Sequence, residues 1–312
     1  MSGPISMDKP QVSKPQVSKP MVSIVIVSWN SRKFIEPCLN SILNQNGVSS
    51  EIILIDNHSQ DGTAEIALRN FPQVKIISNM KNLLYAAACN QGIAVSNADL
   101  ILLLNPDTEL QTDCLERMIR YMKADPGTAA LGPQMISPQG KILPSCRSFP
   151  GYLTLLWEIT GLSRLFPAHP VFGSWRMGDF NFKEFHEVNQ PMGSAVLIRK
   201  EVLERAGGMD ERFPLFFNDV DLCYRIKKSG GRIIFFPEAR VVHHVGASTG
   251  RRKIAKIYYS HSGFAKYLRK HHSRGLKPIL FVCAAAALLI AAGVRIILIP
   301  FFSGKSENSI PM

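Results

Sequence analysis

Four polar residues stand where apolar runs end, and each is of a type that can do chemistry. Asp56 closes EIILID (51–56), and Asp107 follows LILLL (100–104) by way of Asn105-Pro106. Asp219 comes just after Phe216-Phe217, and His243 lies in VVHHV (241–245). A carboxylate such as Asp56 can accept the imide N–H of a uracil or thymine ring. Asp107 can join diphosphate oxygens around a hard divalent cation, and a strand imidazole can supply one more ligand. A carboxylate behind two phenylalanines is partly desolvated, which raises its proton affinity and suits a general base.

Each position also has a structural alternative. Asp56 can start a turn and Asp61 can cap the helix after it. Asn-Pro-Asp is a common turn composition. Acids in the first turn of a helix interact favourably with its dipole, and a strand histidine is more often structural than a ligand. Asp221 is spaced i,i+4 from Arg225 and is expected to pair with it. That leaves Asp219 as the acid with no evident partner in sequence.

The elements that position these residues alternate. VSIVIVS (22–28), EIILID (51–56), VKIIS (74–78) and residues 99–104 are apolar enough to be strands buried on both faces. Helical spacing separates them at 32–45, 61–69 and 85–95. The pattern implies a mostly parallel sheet with crossover helices, in which ligands bind outside the carboxyl ends of the strands. Ser28-Trp29-Asn30, Asp56-Asn57 and Asn105-Pro106-Asp107 stand at such ends. Past residue 130 the rhythm weakens. Strands are expected near 190–198 and 232–236 and at 241–245, with helices near 218–229 and 252–272.

Composition narrows the function. The 312 residues carry a formal charge of +12, 46% hydrophobic and 19% charged residues. The charge is concentrated: residues 21–238 have 21 basic and 22 acidic residues, while 239–312 have 12 basic residues against Glu307 alone. A neutral body with a basic tail argues against nucleic-acid binding. Six scattered cysteines without C-x-x-C spacing argue against a zinc knuckle or a redox pair. The N-terminus lacks the apolar region of a secretory signal, so a reducing, cytoplasmic setting is expected for the body. No G-x-G-x-x-G follows the first strand, and no phosphate loop of the G-x-x-x-x-G-K-[ST] type or G-x-S-x-G elbow occurs.

The motifs in order are VSIVIVSWN, EIILIDNHSQDGT, NLLYAAACNQGI (82–93), LLLNPDTEL, GSAVLIRKEVLERAGGMDERFPLFFNDVDLCYRIKKSG and VVHHVGAST. Together they resemble family 2 glycosyltransferases over roughly residues 22–250, with a bacterial rhamnosyltransferase-like branch most similar. The resemblance implies an α/β GT-A fold and an inverting sugar transfer from a nucleotide-diphosphate donor with Mg²⁺ or Mn²⁺. It implies donor contacts from Asn30, Asp56, Asn82, Asn105 and Asp107, with Asp56 on the base. Asp107 and His243 become the metal ligands, Asp219 the catalytic base, and Gly193 and Ser194 a loop near a glycan or lipid-linked acceptor. Three positions depart from the family's pattern. Leu84 stands where glycine is frequent, Asn218 replaces a common Glu, and Asn105 takes the place of the first Asp of a D-x-D. A nucleotidyltransferase on a similar sheet would need a glycine-rich triphosphate loop that SWNSRKF lacks. A non-catalytic membrane-bound scaffold would be favoured by loss of Asp107, Asp219 or His243, all of which are present.

The ends of the chain suggest further units. Residues 1–20 repeat QVSKP and are expected to form a flexible arm, with the transferase domain at 21–250. A basic helical segment at 251–277 contains nine Lys/Arg and no acid. It leads into an apolar segment at 278–303 and a tail at 304–312. The 16 apolar residues of 279–294 fall short of the roughly 20 needed to span a bilayer. Counting through Phe302 gives 24 with Arg295 inside. Association with anionic lipid at the cytoplasmic face is the expectation, the basic residues lying on headgroups.

Overall fold

The structure is a computed structural model that describes residues 19–244, 253–272 and 277–302. The first half alternates as the apolar periodicity predicts: β1 (Val22–Ser28), α1 (Arg32–Leu43), β2 (Ser50–Asp56), α2 (Thr63–Asn70), β3 (Lys75–Ser78), α3 (Leu84–Ala94) and β4 (Leu100–Leu104). Next come β5 (Thr108–Leu110), α4 (Cys114–Ala124), β6 (Thr128–Ile136), β7 (Cys146–Arg147), α5 (Tyr152–Thr160) and α6 (Leu162–Leu165). Then follow β8 (His186–Glu187), β9 (Gln190–Pro191), β10 (Ala195–Arg199), α7 (Lys200–Ala206), α8 (Asn218–Lys228) and β11 (Arg232–His243). Two helices, α9 (Lys253–His272) and α10 (Lys277–Phe302), complete the described chain.

Nine strands form one sheet in the order β3-β2-β1-β4-β10-β6-β11-β5, with β8 also on β11. Parallel pairing joins β3, β2, β1 and β4, and joins β6 to β11; β10 runs antiparallel between β4 and β6. Leu100, Leu102 and Leu104 of β4 enter the core shared with α1, α2 and α4, while Ile101 and Leu103 enter the core shared with α3, α7 and α8. A strand covered on both faces has no polar side to alternate, hence the unbroken apolar run.

Register makes the carboxyl edge a common platform. Ser28 pairs with Asp56, Asp56 with Ser78, and Ile26 with Leu104. Because β10 is antiparallel, its start faces that edge: Ala195 pairs with Leu104. The end of β11 arrives there too, with His243 opposite Thr108.

Two expectations are corrected. The strand expected over 190–198 is two, β9 and β10, and Met192-Gly193-Ser194 is the break between them. The strands expected at 232–236 and 241–245 are one long strand. Its register shifts between Phe236 and Arg240, around Pro237, which has no N–H to give the ladder. Val245 lies outside the described residues. Helix α4 and strand β6 have no counterpart in the sequence reading.

The tail folds back on the body. Phe264, Leu268 and Tyr267 of α9 are buried, the first two with Leu155 of α5 and Ala284 and Leu288 of α10. Gly263 allows the close approach: a Cβ there would lie 3.0 Å from the Phe217 ring and 3.2 Å from the Phe216 carbonyl oxygen. Helix α10 continues through Arg295 without a break. Ile279–Ile297 is a 19-residue stretch of mean hydropathy 2.5, long and apolar enough to cross a membrane. Much of it is uncovered: Ile279 is 73%, Leu289 75% and Ile290 69% exposed.

Candidate active site

The sequence-predicted residues fall into two groups on the platform. One lies at the ends of β1 and β2. Asp56 is buried and accepts Ser28 Oγ at 3.0 Å, Ser59 N at 3.0 Å and Ser59 Oγ at 2.6 Å. The turn role is therefore real, yet a carboxylate has about four acceptor positions, so a further donor can be taken. Asn30, at φ 51°, holds the same loop from the other side: its N–H donates to Ser59 Oγ and its Oδ1 accepts Gln60 N. Asp61 accepts the N–H groups of Arg32 and Thr63, the first residues of α1 and α2. Asn82 Oδ1 accepts Asn57 Nδ2 at 3.0 Å and Leu84 N at 2.8 Å. Leu84 has φ 66°, a conformation glycine adopts without strain, which is consistent with the glycine the resemblance leads one to expect there. Here two asparagine side chains hold it, Asn57 donating to its carbonyl.

The second group gathers at the ends of β4 and β11 and the start of β10. Asn105 donates its backbone N–H to Ser194 O at 2.8 Å, and its Nδ2 lies 3.3 Å from Ser194 Oγ. Ser194 Oγ lies 3.4 Å from His243 Nε2, which is 3.6 Å from Asp107 Oδ1. Both Asp107 and His243 are buried. Burial holds His243 below its usual range, against the pull of Asp107, so the ring is kept neutral. A neutral imidazole facing a carboxylate beyond hydrogen-bond distance fits a shared divalent cation. Among the described residues no group of three or more His, Cys, Asp or Glu is arranged to hold a metal. This pair therefore needs oxygens from a ligand to complete a site. His244, the neighbour, is occupied by Glu109 at 2.8 Å. Gly246 and Ser248 of the expected motif lie outside the described residues.

Asp219 borders this group through Gly193. Its Oδ2 accepts Gly193 N and Gln190 Nε2, both at 3.2 Å, and its Oδ1 accepts Val220 N at 2.9 Å. Burial raises its pKa in spite of these donors, the condition of a carboxylate suited to take a proton. Gly193 is required: a Cβ there would lie 2.9 Å from Asp219 Cβ and 3.0 Å from Oδ2. The consecutive residues Gly193 and Ser194 thus link the candidate base to the candidate metal ligands.

Asp221, two residues on, is fully buried elsewhere. It binds Arg225 as its spacing predicts, at 2.7 Å, and also Lys270 at 2.6 Å and His271 at 2.7 Å from α9. The tail's basic residues are thus not all turned outward: Lys270 also binds Asp210, and Lys266 donates to Arg212 O. Sequence reasoning missed Gln190, which lies in a two-residue strand too short for periodicity. It also missed Tyr85 on α3, whose phenol burial pushes well up and which lies within electrostatic reach of both Asp219 and Asp107. Tyr85 was inside the quoted NLLYAAACNQGI motif, but nothing in its spacing marks it.

Residues 23–205 match the model of the family described as Glycosyl transferase family 2. The chain belongs to that family. It is 28% identical over 261 residues to N-acetylglucosaminyl-diphospho-decaprenol L-rhamnosyltransferase of Mycobacterium tuberculosis, covering 80% of this chain and 84% of the relative. It is 26% identical over 209 residues to the low-salt glycan biosynthesis hexosyltransferase Agl10 of Haloferax volcanii, covering 66% and 61%. Among solved structures, the fold is similar to that of mannosyltransferase PcManGT from Pyrobaculum calidifontis in complex with GDP-Man and Mn²⁺. The TM-score there is 0.53 at 17% identity, over 96% of this chain and 80% of that one. GalNAc-T7 with UDP, GalNAc and Mn²⁺ gives a TM-score of 0.55 at 15% identity, over 92% and 57%. The fold is the GT-A glycosyltransferase fold, as the resemblance implied.

Proposed function

We propose that this family 2 glycosyltransferase transfers a sugar, with inversion, from a nucleotide-diphosphate donor to a lipid-linked or glycan acceptor at the cytoplasmic face of a membrane. The observation that carries it is the bridge at Gly193-Ser194. It sets a carboxylate of raised proton affinity beside a buried carboxylate–imidazole pair. Asp219 takes the proton of the acceptor hydroxyl as its oxygen bonds to the anomeric carbon from one side. The bond to the donor diphosphate breaks on the other. A single displacement of this kind inverts the centre: the acceptor oxygen is the nucleophile, and the protein need supply one base and no nucleophile of its own. Asp107 and His243 would hold Mg²⁺ or Mn²⁺, which supplies neutralisation of the charge that develops on the leaving diphosphate. Asp56, with Asn30 and Asn82 shaping its loop, receives the base of the nucleotide; Asn105 orders the edge toward Ser194.

The relative's name supports L-rhamnose as the transferred sugar and a sugar-diphospho-lipid as acceptor; dTDP-rhamnose is the donor we propose for it. The exposed apolar face of α10 supports attachment to lipid. The test is a transfer assay on the full-length protein with dTDP-, UDP- and GDP-sugars, Mg²⁺ or Mn²⁺, and a polyprenyl-diphosphate-linked N-acetylglucosamine. Transfer from dTDP-rhamnose with inverted linkage is expected. Calorimetry checks the metal: a site with one carboxylate and one imidazole predicts that nucleotide and metal bind cooperatively. Equal nucleotide affinity with and without metal overturns the Asp107–His243 assignment. Recovery of the whole protein in the soluble fraction at low salt overturns the membrane reading.

A further inference from the structure

Arg147 has no role in the chemistry above, yet it stands beside it. Strand β7 pairs with β9 so that Arg147 is opposite Gln190, whose Nε2 donates to Asp219. The guanidinium stacks on Trp175, 5.1 Å from the ring centroid. Among the described residues no carboxylate forms an ion pair with it. Of the acids within its electrostatic reach, Glu158 accepts Nε and Nη2 of Arg176, at 2.8 and 2.6 Å, and Asp219 is the candidate base. Burial and the like charge of Arg176 both disfavour the cation there. A stacked guanidinium kept under those two penalties is poised for an anion brought by a ligand, and its planar fork matches phosphate oxygens.

Two diphosphates meet in the proposed reaction, and the geometry separates them. The donor's belongs with Asp107 and His243, on the Ser194 side of the loop. Arg147 is on the Asp219 side, where the acceptor must present its hydroxyl. The chain next to Arg147 also leads to a lipid-like surface. Helix α5 exposes Leu153 (66%) and Leu156 (47%), and α6 exposes Leu165 (71%). Leu155 on α5 packs against Ala284 and Leu288 of α10, the one membrane-length apolar helix among the described residues. A water-soluble acceptor has no use for an apolar face continuous with that helix; a lipid diphosphate needs both the face and the cation.

We propose that Arg147, held on Trp175, binds the diphosphate of a lipid-linked acceptor whose chain runs over the exposed apolar side of α5 and α6. The inference rests on the lipid-acceptor reading above and assigns that acceptor its anion-binding residue.

The experiment measures equilibrium binding to the full-length protein in detergent micelles. The acceptor probes are farnesyl diphosphate and its neutral counterpart farnesol. The donor probe is thymidine diphosphate with Mg²⁺. The wild type is expected to favour farnesyl diphosphate over farnesol by at least ~10-fold. Arg147→Gln should lose that preference, and Arg147→Lys, which keeps the charge without the fork, should retain part of it. Thymidine diphosphate should bind all three proteins within about twofold, which also shows that the variants are folded. It should not displace farnesyl diphosphate. The inference is overturned if Arg147→Gln keeps the preference. A parallel fall in thymidine diphosphate affinity, or displacement of one probe by the other, also overturns it, because Arg147 then serves the donor. If the wild type binds thymidine diphosphate but does not favour farnesyl diphosphate, the inference fails and the transferase reading stands. If it favours farnesyl diphosphate but binds no nucleotide with metal, the transferase reading fails and the lipid-diphosphate site stands.

Discussion

The first turn of α8 looks two ways, and its two sides treat the same residue type in opposite fashion. On the cleft side, Asp219 receives only neutral donors, from Gly193, Gln190 and Val220, and burial raises its proton affinity. On the α9 side, burial would raise Asp221 too. There the hydrogen bonds of His271 and Lys270 and the charge of Arg225 outweigh it and hold the carboxyl below its usual range. Desolvation alone makes a base; desolvation with the charges of Lys270 and Arg225 and a hydrogen bond to His271 makes a structural clamp. The two acids are separated by one residue, Val220, and which fate each meets depends on what packs against it.

The largest effect expected from breaking this contrast is on catalysis. Asp219→Asn should reduce sugar transfer on the order of 10²–10⁴-fold, the usual cost of losing a general base, with donor nucleotide affinity retained. Near-normal transfer by Asp219→Asn beside an inactive but folded Asp221→Asn would reassign the base to Asp221.

The second effect is on stability. Asp221→Asn leaves Arg225, Lys270 and His271 facing a neutral group and should cost about 3–5 kcal/mol, as breaking a buried ion pair does. Urea unfolding reads this, while transfer per folded molecule should persist. A loss under 1 kcal/mol would mean that α9 is held by its apolar contacts alone.

A smaller effect is expected from crowding Asp219 at Gly193. Gly193→Ala places a methyl against Asp219 and should lower kcat ~10-fold through a displaced base, with little change in nucleotide affinity. An unaltered kcat would show that the loop yields.

The mildest probe is pH. In the proposed role Asp219 would work only when ionised, and its pKa is raised. The acid limb of kcat/KM should therefore lie above the ordinary aspartate range of about 3.9. Asp221 has the opposite sign: its lowered pKa contributes stability above the unfolded value of about 3.9, lost as pH falls through the folded one. Activity should therefore fall with acid before α9 loosens. Trp175, packed on Phe264 of α9, offers a fluorescence signal for the second event. Coincident midpoints would remove the distinction between the two environments.

Much of the site was legible because its residues sit where strongly patterned strands stop. β1, β2 and β4 announce themselves by continuous apolar runs, and in a parallel sheet their ends must share an edge, so Asp56 and Asp107 could be placed there from sequence. The Asp221–Arg225 pair followed from helical spacing. What was not legible is made by short or distant pairings. Gln190 reaches Asp219 through a two-residue strand, and β10 inserts antiparallel into a sheet whose neighbours run the other way. The basic residues of 251–277 were expected to lie on lipid headgroups; Lys270 of α9 instead closes on Asp221, 49 residues away, beside His271.

The sequence by itself determined the residue types, the period of the early elements and the charge division between body and tail, since these depend only on neighbours within a turn or a strand. Only the tertiary structure decided which acid on α8 is solvated by neutral donors and which is paired with cations. It also decided that Arg147 stands opposite Gln190, the partner of Asp219, and that α10 packs on α5 and α9. A proton affinity is set by the groups within a few ångströms, and in this fold those groups come from segments far apart in the chain.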